Sequence, residues 1–266
     1  LETAEKLGAE INLAFGKKCM GRLYRLDAER FPAGNERNQR LYQSVGLLED
    51  AIECFSRLPE YGPDHPEVGD CYSLLGRTYL AFGRLTEADK AVRQAETRLR
   101  DPASKDYLDL QILLGDLEAV RSSYDNADRY YRQVTDREGV NDPERSEMRA
   151  RAYLQRGRNA LRQGHRPAAT AYLKRAAEIW HSLGEPKAAA EAELELLNLE
   201  SPPDDYLQAV QGKPAYVRVE VWKRDEKRRL EAASARNARR NEPPRSYWAQ
   251  LVRQVEGDAA VNMIEW

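Results

Sequence analysis

The chain has 266 residues, enough for one large domain or a main domain with a smaller appendix. Charged residues make up 32% and aromatics 8%, a composition that folds when apolar residues are arranged in stripes around a thin, layered core. A formal net charge of −2 gives no reason to expect nucleic acid, and no run of about 18 apolar residues reads as a membrane span.

Residues 1–31 read as helix, with Ala4, Leu7, Ile11, Phe15, Met20, Leu23 and Leu26 as its apolar stripe. They are either a degenerate first repeat or the end of a preceding unit. The opening LETAEKLGAEINLAF lacks the apolar stretch of a signal peptide, and the start at Leu1 rather than methionine is expected of a fragment of a longer chain.

From residue 32 a repeat emerges. Gly76, Gly115 and Gly157 stand 39 and 42 residues apart in similar surroundings, SLLGRTYL, ILLGDLEA and LQRGRNAL. Twelve residues after each comes an alanine: Ala88, Ala127 and Ala169. Four further on comes a bulky residue (Val92, Tyr131, Leu173), and three beyond that a small or branched one (Ala95, Val134, Ala176). The same tail appears once more upstream, as Ala51, Phe55 and Leu58. Each unit is therefore expected to be two antiparallel helices. A small residue late in the first helix (A) lets the second (B) approach, and the alanine of B supplies the matching small surface. Gly83 and Gly164 suit left-handed helix ends, and Asp101-Pro102, Asp142-Pro143 and Glu185-Pro186 mark breaks between units. The units run over about 32–62, 63–102, 103–143 and 144–182, and the segment 186–199, opening on Pro186, reads as a capping helix.

This pattern resembles the tetratricopeptide repeat (TPR) family. Leu75-Gly76 and Leu114-Gly115 match its leucine-glycine pair, Tyr79 its helix-A tyrosine, and Tyr124, Ala127 and Tyr131 its helix-B trio. The spacing exceeds the usual 34, as in kinesin-light-chain-like variants. The resemblance covers roughly 32–200 and implies an all-α, right-handed TPR-type solenoid of antiparallel helix pairs. It also implies a protein that holds other proteins. An alanine-rich helical bundle shares the i, i+4, i+7 spacing, but not the fixed glycine-to-alanine offset.

After SPPDD at 201–205 the character changes. YVRVEVW at 216–222 alternates, which predicts a strand. Residues 223–242 read as a basic helix, contacting an acidic partner or nucleic acid or, as interleaved acids favour, simply solvated, and SYWAQLVRQVEG after Pro243-Pro244 as a final amphipathic helix. Residues 201–266 thus form a small C-terminal appendix to the solenoid.

No P-loop, HExxH or GxSxG motif is present. His65, His165 and His181 sit apart in turns. Cys19, Cys54 and Cys71 are odd in number and form no CxxC pair. The expectation is a reduced, cytoplasmic protein, not an enzyme, without metal or cofactor. The TPR register places Arg37, Arg40, Leu74, Arg77, Ile112, Leu113, Asp116, Val120, Arg151, Arg158 and Arg162 on the concave inner wall. Arginines at both ends around an apolar centre would suit a protein or peptide with acidic flanks and an apolar anchor. In the plainer alternative, Arg40 and Arg77 pair with Asp70 and Asp109 on that wall and bind nothing else. The chain is read either as a scaffold or adaptor using this groove, or as the regulatory portion of a larger signalling protein.

Overall fold

A computed structural model describes the backbone of residues 2–136, 142–200 and 202–236. Among the described residues the chain is all α-helix. Two compact units follow one another, Leu1–Tyr172 and Leu173–Trp266.

The first unit is built of helix pairs. Helix α1 (Glu2–Ala28) lies along α2 (Asn35–Arg57), α3 (Pro66–Phe82) along α4 (Leu85–Glu96), and α5 (Lys105–Val120) along α6 (Tyr124–Thr135). Helix α7 (Pro143–Arg162) packs on α5 and α6, and α8 (Arg166–Ser182) follows it in the chain, with the division between the units falling within α8 after Tyr172. Contacts of α1 with α3, α3 with α5 and α5 with α7 make the A helices one layer.

The helix ends follow from local chemistry. The Nδ1 of His65 accepts from the Glu67 amide at 3.1 Å, and the Ser104 hydroxyl accepts from the Tyr107 amide at 3.1 Å. Pro66 and Pro143 open α3 and α7 at positions where the missing N–H costs nothing. The turn after α3 closes with Arg84 N bonded to Tyr79 O at 2.9 Å, around Gly83 at φ 75. Gly164 and Gly184 end α7 and α8 in the same way. At the corresponding corner after α5 the left-handed residue is Ser122, φ 61, with Ser123 N bonded to Glu118 O at 2.9 Å.

The repeat positions are the core. Ala51, Ala88, Ala127 and Ala169 are all fully buried, as are Phe55, Tyr131 and Leu173. A Cβ at Gly76 would lie 2.9 Å from Val92 Cγ2, and one at Gly115 only 2.3 Å from Tyr131 Cε1. These glycines are the gaps into which the B helices fit.

The first pair differs from the expected register. Residues 32–45 are not a separate A helix, because α2 runs unbroken through Gly46. Its buried residues Leu41, Ser44, Leu48, Ala51 and Phe55 form one i, i+3, i+7 stripe, and α1 is long enough to cover all of it. The A helix of this pair is α1.

In the second unit α9 (Pro186–Leu199) packs against α11 (Ala215–Arg236), with the short α10 (Asp204–Ala209) before it. The strand expected at 216–222 is instead the start of α11. The same letters carry a helical stripe: Val219 and Trp222 are buried, with Trp222 edge-on to Tyr206 at 5.1 Å. A lone strand would leave its ladder unpaired, whereas a helix bonds its own backbone. Glu193 of α9 is buried yet paired, accepting from Lys223 Nζ at 3.1 Å and lying 3.0 Å from His181 Nε2. Residues 237–242 of the basic segment and the final helix expected from Ser246 lie outside the described residues.

Candidate functional site in the A-helix layer

Each A helix carries charged residues seven apart: Lys18 and Arg25 on α1, Asp70 and Arg77 on α3, Asp109 and Asp116 on α5, and Arg151 and Arg158 on α7. Seven residues are nearly two turns, so both members of each pair share one face. The structure joins them across helices. Lys18 bridges to Glu67 at 2.5 Å and Asp70 at 3.0 Å. Arg77 Nε donates to Asp109 Oδ2 at 3.1 Å, and its other arm reaches Asp116 at 3.6 Å. Arg151 donates to Asp109 Oδ1 at 2.8 Å, and the Tyr131 hydroxyl to Asp116 Oδ1 at 2.9 Å. The pairing of Arg77 with Asp109 anticipated from the register is therefore present, whereas Arg40 bonds elsewhere.

The network has two ends of opposite character. Toward the N-termini of α3 and α5 lie Glu67, Asp70 and Asp106, with Lys18 between them. Burial and the neighbouring Asp70, Glu67 and Asp109 raise the Asp106 carboxyl to about 6, against the pull of Lys18. Burial raises the Asp70 carboxyl too, although Lys18 opposes it. Burial alone would lower the Lys18 ammonium, but Asp70 and Glu67 outweigh it and hold that group above its ordinary value.

Toward the other end, Arg25, Arg77, Arg151 and Arg162 gather around Asp109, Asp116 and Glu29. Burial opposes the charge on Asp109, yet Arg77 and Arg151 hold its carboxyl below the usual range. Burial depresses the Arg25 guanidinium, and the adjacent Arg77 and Arg151 add to this despite the Glu29 carboxylate 2.5 Å away. Its Nε is buried and has no hydrogen-bond partner.

The residues expected on the wall divide accordingly. Arg77, Asp116 and Arg151 are brought together; Arg162 is exposed one turn beyond, and Arg158 occupies the register position shared with Arg77 and Asp116. Leu74, Ile112 and Leu113 are interior, so that part of the apolar centre is not presented on the surface. An A helix sandwiched between two neighbours has most of its circumference covered, and positions one step off the wall point into the core. Val120 is exposed at 52%. Arg37 and Arg40 are on α2 at the rim of the first pair. Arg37 donates to Ala81 O at 3.2 Å; Arg40 bonds Asp27 at 2.5 Å and stacks 3.9 Å over Phe31.

Lys18, Arg25, Glu67 and Asp106 were not singled out from sequence, and Tyr131 only as a packing residue. The seven-residue charge spacing on α1 is the signal that would have found Lys18 and Arg25. Among the described residues no group of three or more His, Cys, Asp or Glu side chains is placed to hold a metal, and no helix is long and apolar enough to cross a membrane. Cys19, Cys54 and Cys71 are free thiols.

Comparison with protein families matches residues 35–101 to the tetratricopeptide repeat, a span that takes in α2, α3 and α4. No significant relative is found among curated proteins.

Proposed function

We propose that this chain, which belongs to the tetratricopeptide-repeat family, acts as a scaffold or adaptor that grips an acidic segment of a partner protein on its A-helix layer. Tetratricopeptide repeats are non-catalytic modules that mediate protein–protein interaction. The observation that carries the finer reading is the gathering of Arg25, Arg77, Arg151 and Arg162 at one end of the layer, where Arg162 is exposed. An exposed guanidinium there can take an incoming carboxylate with two parallel N–H donors. Arg158 and Arg162 extend this basic end along α7. With Leu74, Ile112 and Leu113 interior, recognition at this site is chiefly electrostatic, Val120 being the exposed apolar side chain of the expected wall.

The test is quantitative affinity capture with the full chain, read by mass spectrometry, comparing wild type with the Arg158→Glu, Arg162→Glu double variant. Partners enriched by the wild type are lost in the double variant, with helicity by circular dichroism unchanged. An identical set of captured proteins would remove the basic end as the contact surface.

A further inference from the structure

The three A helices that follow α1 in the first unit all turn the same face to the B helix before them. Aligned through Asp70, Asp109 and Arg151, that face is Cys71, Leu75 and Thr78 on α3, Leu110, Leu114 and Leu117 on α5, and Ala152, Arg156 and Asn159 on α7. Cys71 clusters with Ala51 and Phe55 of α2, Leu75 with Leu48, and the Thr78 hydroxyl lies 3.0 Å from that of Ser44. Leu110 and Leu114 cluster with Val92 and Ala95 of α4. Ala152 clusters with Ala127, Tyr131 and Val134 of α6, Arg156 donates to Asp128 at 2.8 Å, and Asn159 to Tyr124 O at 2.9 Å. The face is used at every step, whether its side chains are apolar or charged.

On α1 the equivalent face is apolar and open. Lys18 reaches Asp70 at 3.0 Å, which sets α1 level with α3 and puts Cys19, Leu23 and Leu26 at the positions of Cys71, Leu75 and Thr78. Leu23 is exposed at 56% and Leu26 at 39%; Met20, at the position of Tyr72, is exposed at 45%. Cys19 is exposed as well. Gly21, two positions from both Cys19 and Leu23, faces Leu48 of α2, and two positions are about 200° of rotation, so α2 lies on the other side of α1. Gly16 aligns with Val68 and has nothing within 4 Å of where its Cβ would be, which leaves room for a bulky side chain from outside. The end repeat of a solenoid carries a polar outer face to stay soluble. The outer side of α1 has instead the character of an interior A helix.

We infer that α1 is an interior helix of the solenoid, covered on this face by one more B-type helix that precedes it in the polypeptide. The order of the elements points to that source: α2, α4 and α6 each come directly before the A helix whose face they cover. The contact stripe of the covering helix follows theirs, a small residue, a bulky one four later and a small or branched one three after that, as in Ala127, Tyr131 and Val134. Cys19 reports the contact, because a thiol beneath a packed helix neither ionises readily nor meets a reagent. The test compares maleimide labelling of Cys19, read by peptide mass spectrometry, in residues 1–266 alone and in the same chain with the polypeptide encoded ahead of Leu1. Labelling is slower by about tenfold or more in the longer protein. Leu23→Glu or Leu26→Glu restores the fast rate there, with helicity by circular dichroism retained. Equal rates in the two proteins overturn the inference, and so does a slowing that neither substitution relieves. A reading frame with no helix-length segment ahead of Leu1 overturns it as well. So does labelling of residues 1–266 alone that slows as their own concentration rises, which would assign the face to a second copy.

Discussion

At the residue scale, the turn after α5 stands apart from its counterparts. Gly83, Gly164 and Gly184 hold the left-handed conformation at three corners, and Ser122 holds it at the fourth. A side chain there clashes with its own backbone, which glycine avoids. Ser122→Gly should stabilise the fold by about 0.5–1 kcal/mol, and Gly83→Ala should cost about 1 kcal/mol, both read as shifts in denaturant midpoint. Asp106 gives a pH signature. Its folded-state carboxyl titrates near 6 while the free side chain does so near 3.8. The folded protein therefore holds the proton more tightly, and stability falls as pH rises from about 4 to 6. Asp106→Asn should stabilise by about 1 kcal/mol at pH 7, after discounting for partial exposure, with the gain vanishing below pH 4. A pH-independent effect would show that the carboxyl is not held protonated. Asp109 behaves oppositely: Asp109→Ala strands Arg77 and Arg151 and should cost about 3–5 kcal/mol, seen in the thermal midpoint.

At the scale of elements, pairing is decided by small residues. Gly115→Ala should cost about 3 kcal/mol or more, because the new methyl would overlap the ring of Tyr131, which is buried and tethered to Asp116. Unchanged stability would mean that α5 and α6 separate freely. The offset from Gly76 to Ala88 and from Gly115 to Ala127 was legible in sequence for the same reason: close approach permits few residue types, so packing leaves a trace in the letters. Two elements were not legible. Gly46 sits where other pairs have a turn, and only the unbroken stripe from Leu41 to Phe55 reveals that α2 continues. In YVRVEVW the alternating valines mask the pair Val219 and Trp222, three apart, which is what the helix buries. Over seven residues both periods fit, and the tertiary partners α9 and Tyr206 decide between them.

At the scale of the whole molecule, the charged layer converts a repeat built for packing into a surface with polarity. The end around Asp106 is acidic and the end around Arg25 basic, although the chain as a whole is close to neutral. Attraction between exposed charges is screened within about 8 Å at physiological salt and 3 Å at 1 M. Capture of partners through Arg158 and Arg162 should therefore weaken progressively from 0.15 M to 1 M salt. This surface was only half legible. The sequence register put Arg77, Asp116 and Arg151 on facing helices, where ion pairs through Asp109 and Asp116 join them. It misplaced Leu74, Ile112 and Leu113, since leucine is as common one step inside the wall as on it.

The three thiols offer a handle on these surfaces. Burial pushes the Cys71 thiol far above its ordinary value, with Asp70 adding to the effect, so it scarcely ionises near neutrality. Cys19 is exposed on the α1 face beside Leu23, and Cys54 is only half accessible behind Lys17. A brief treatment with a maleimide should therefore mark the natural protein chiefly at Cys19, placing a spectroscopic probe on the exposed face of α1 without any engineered mutation.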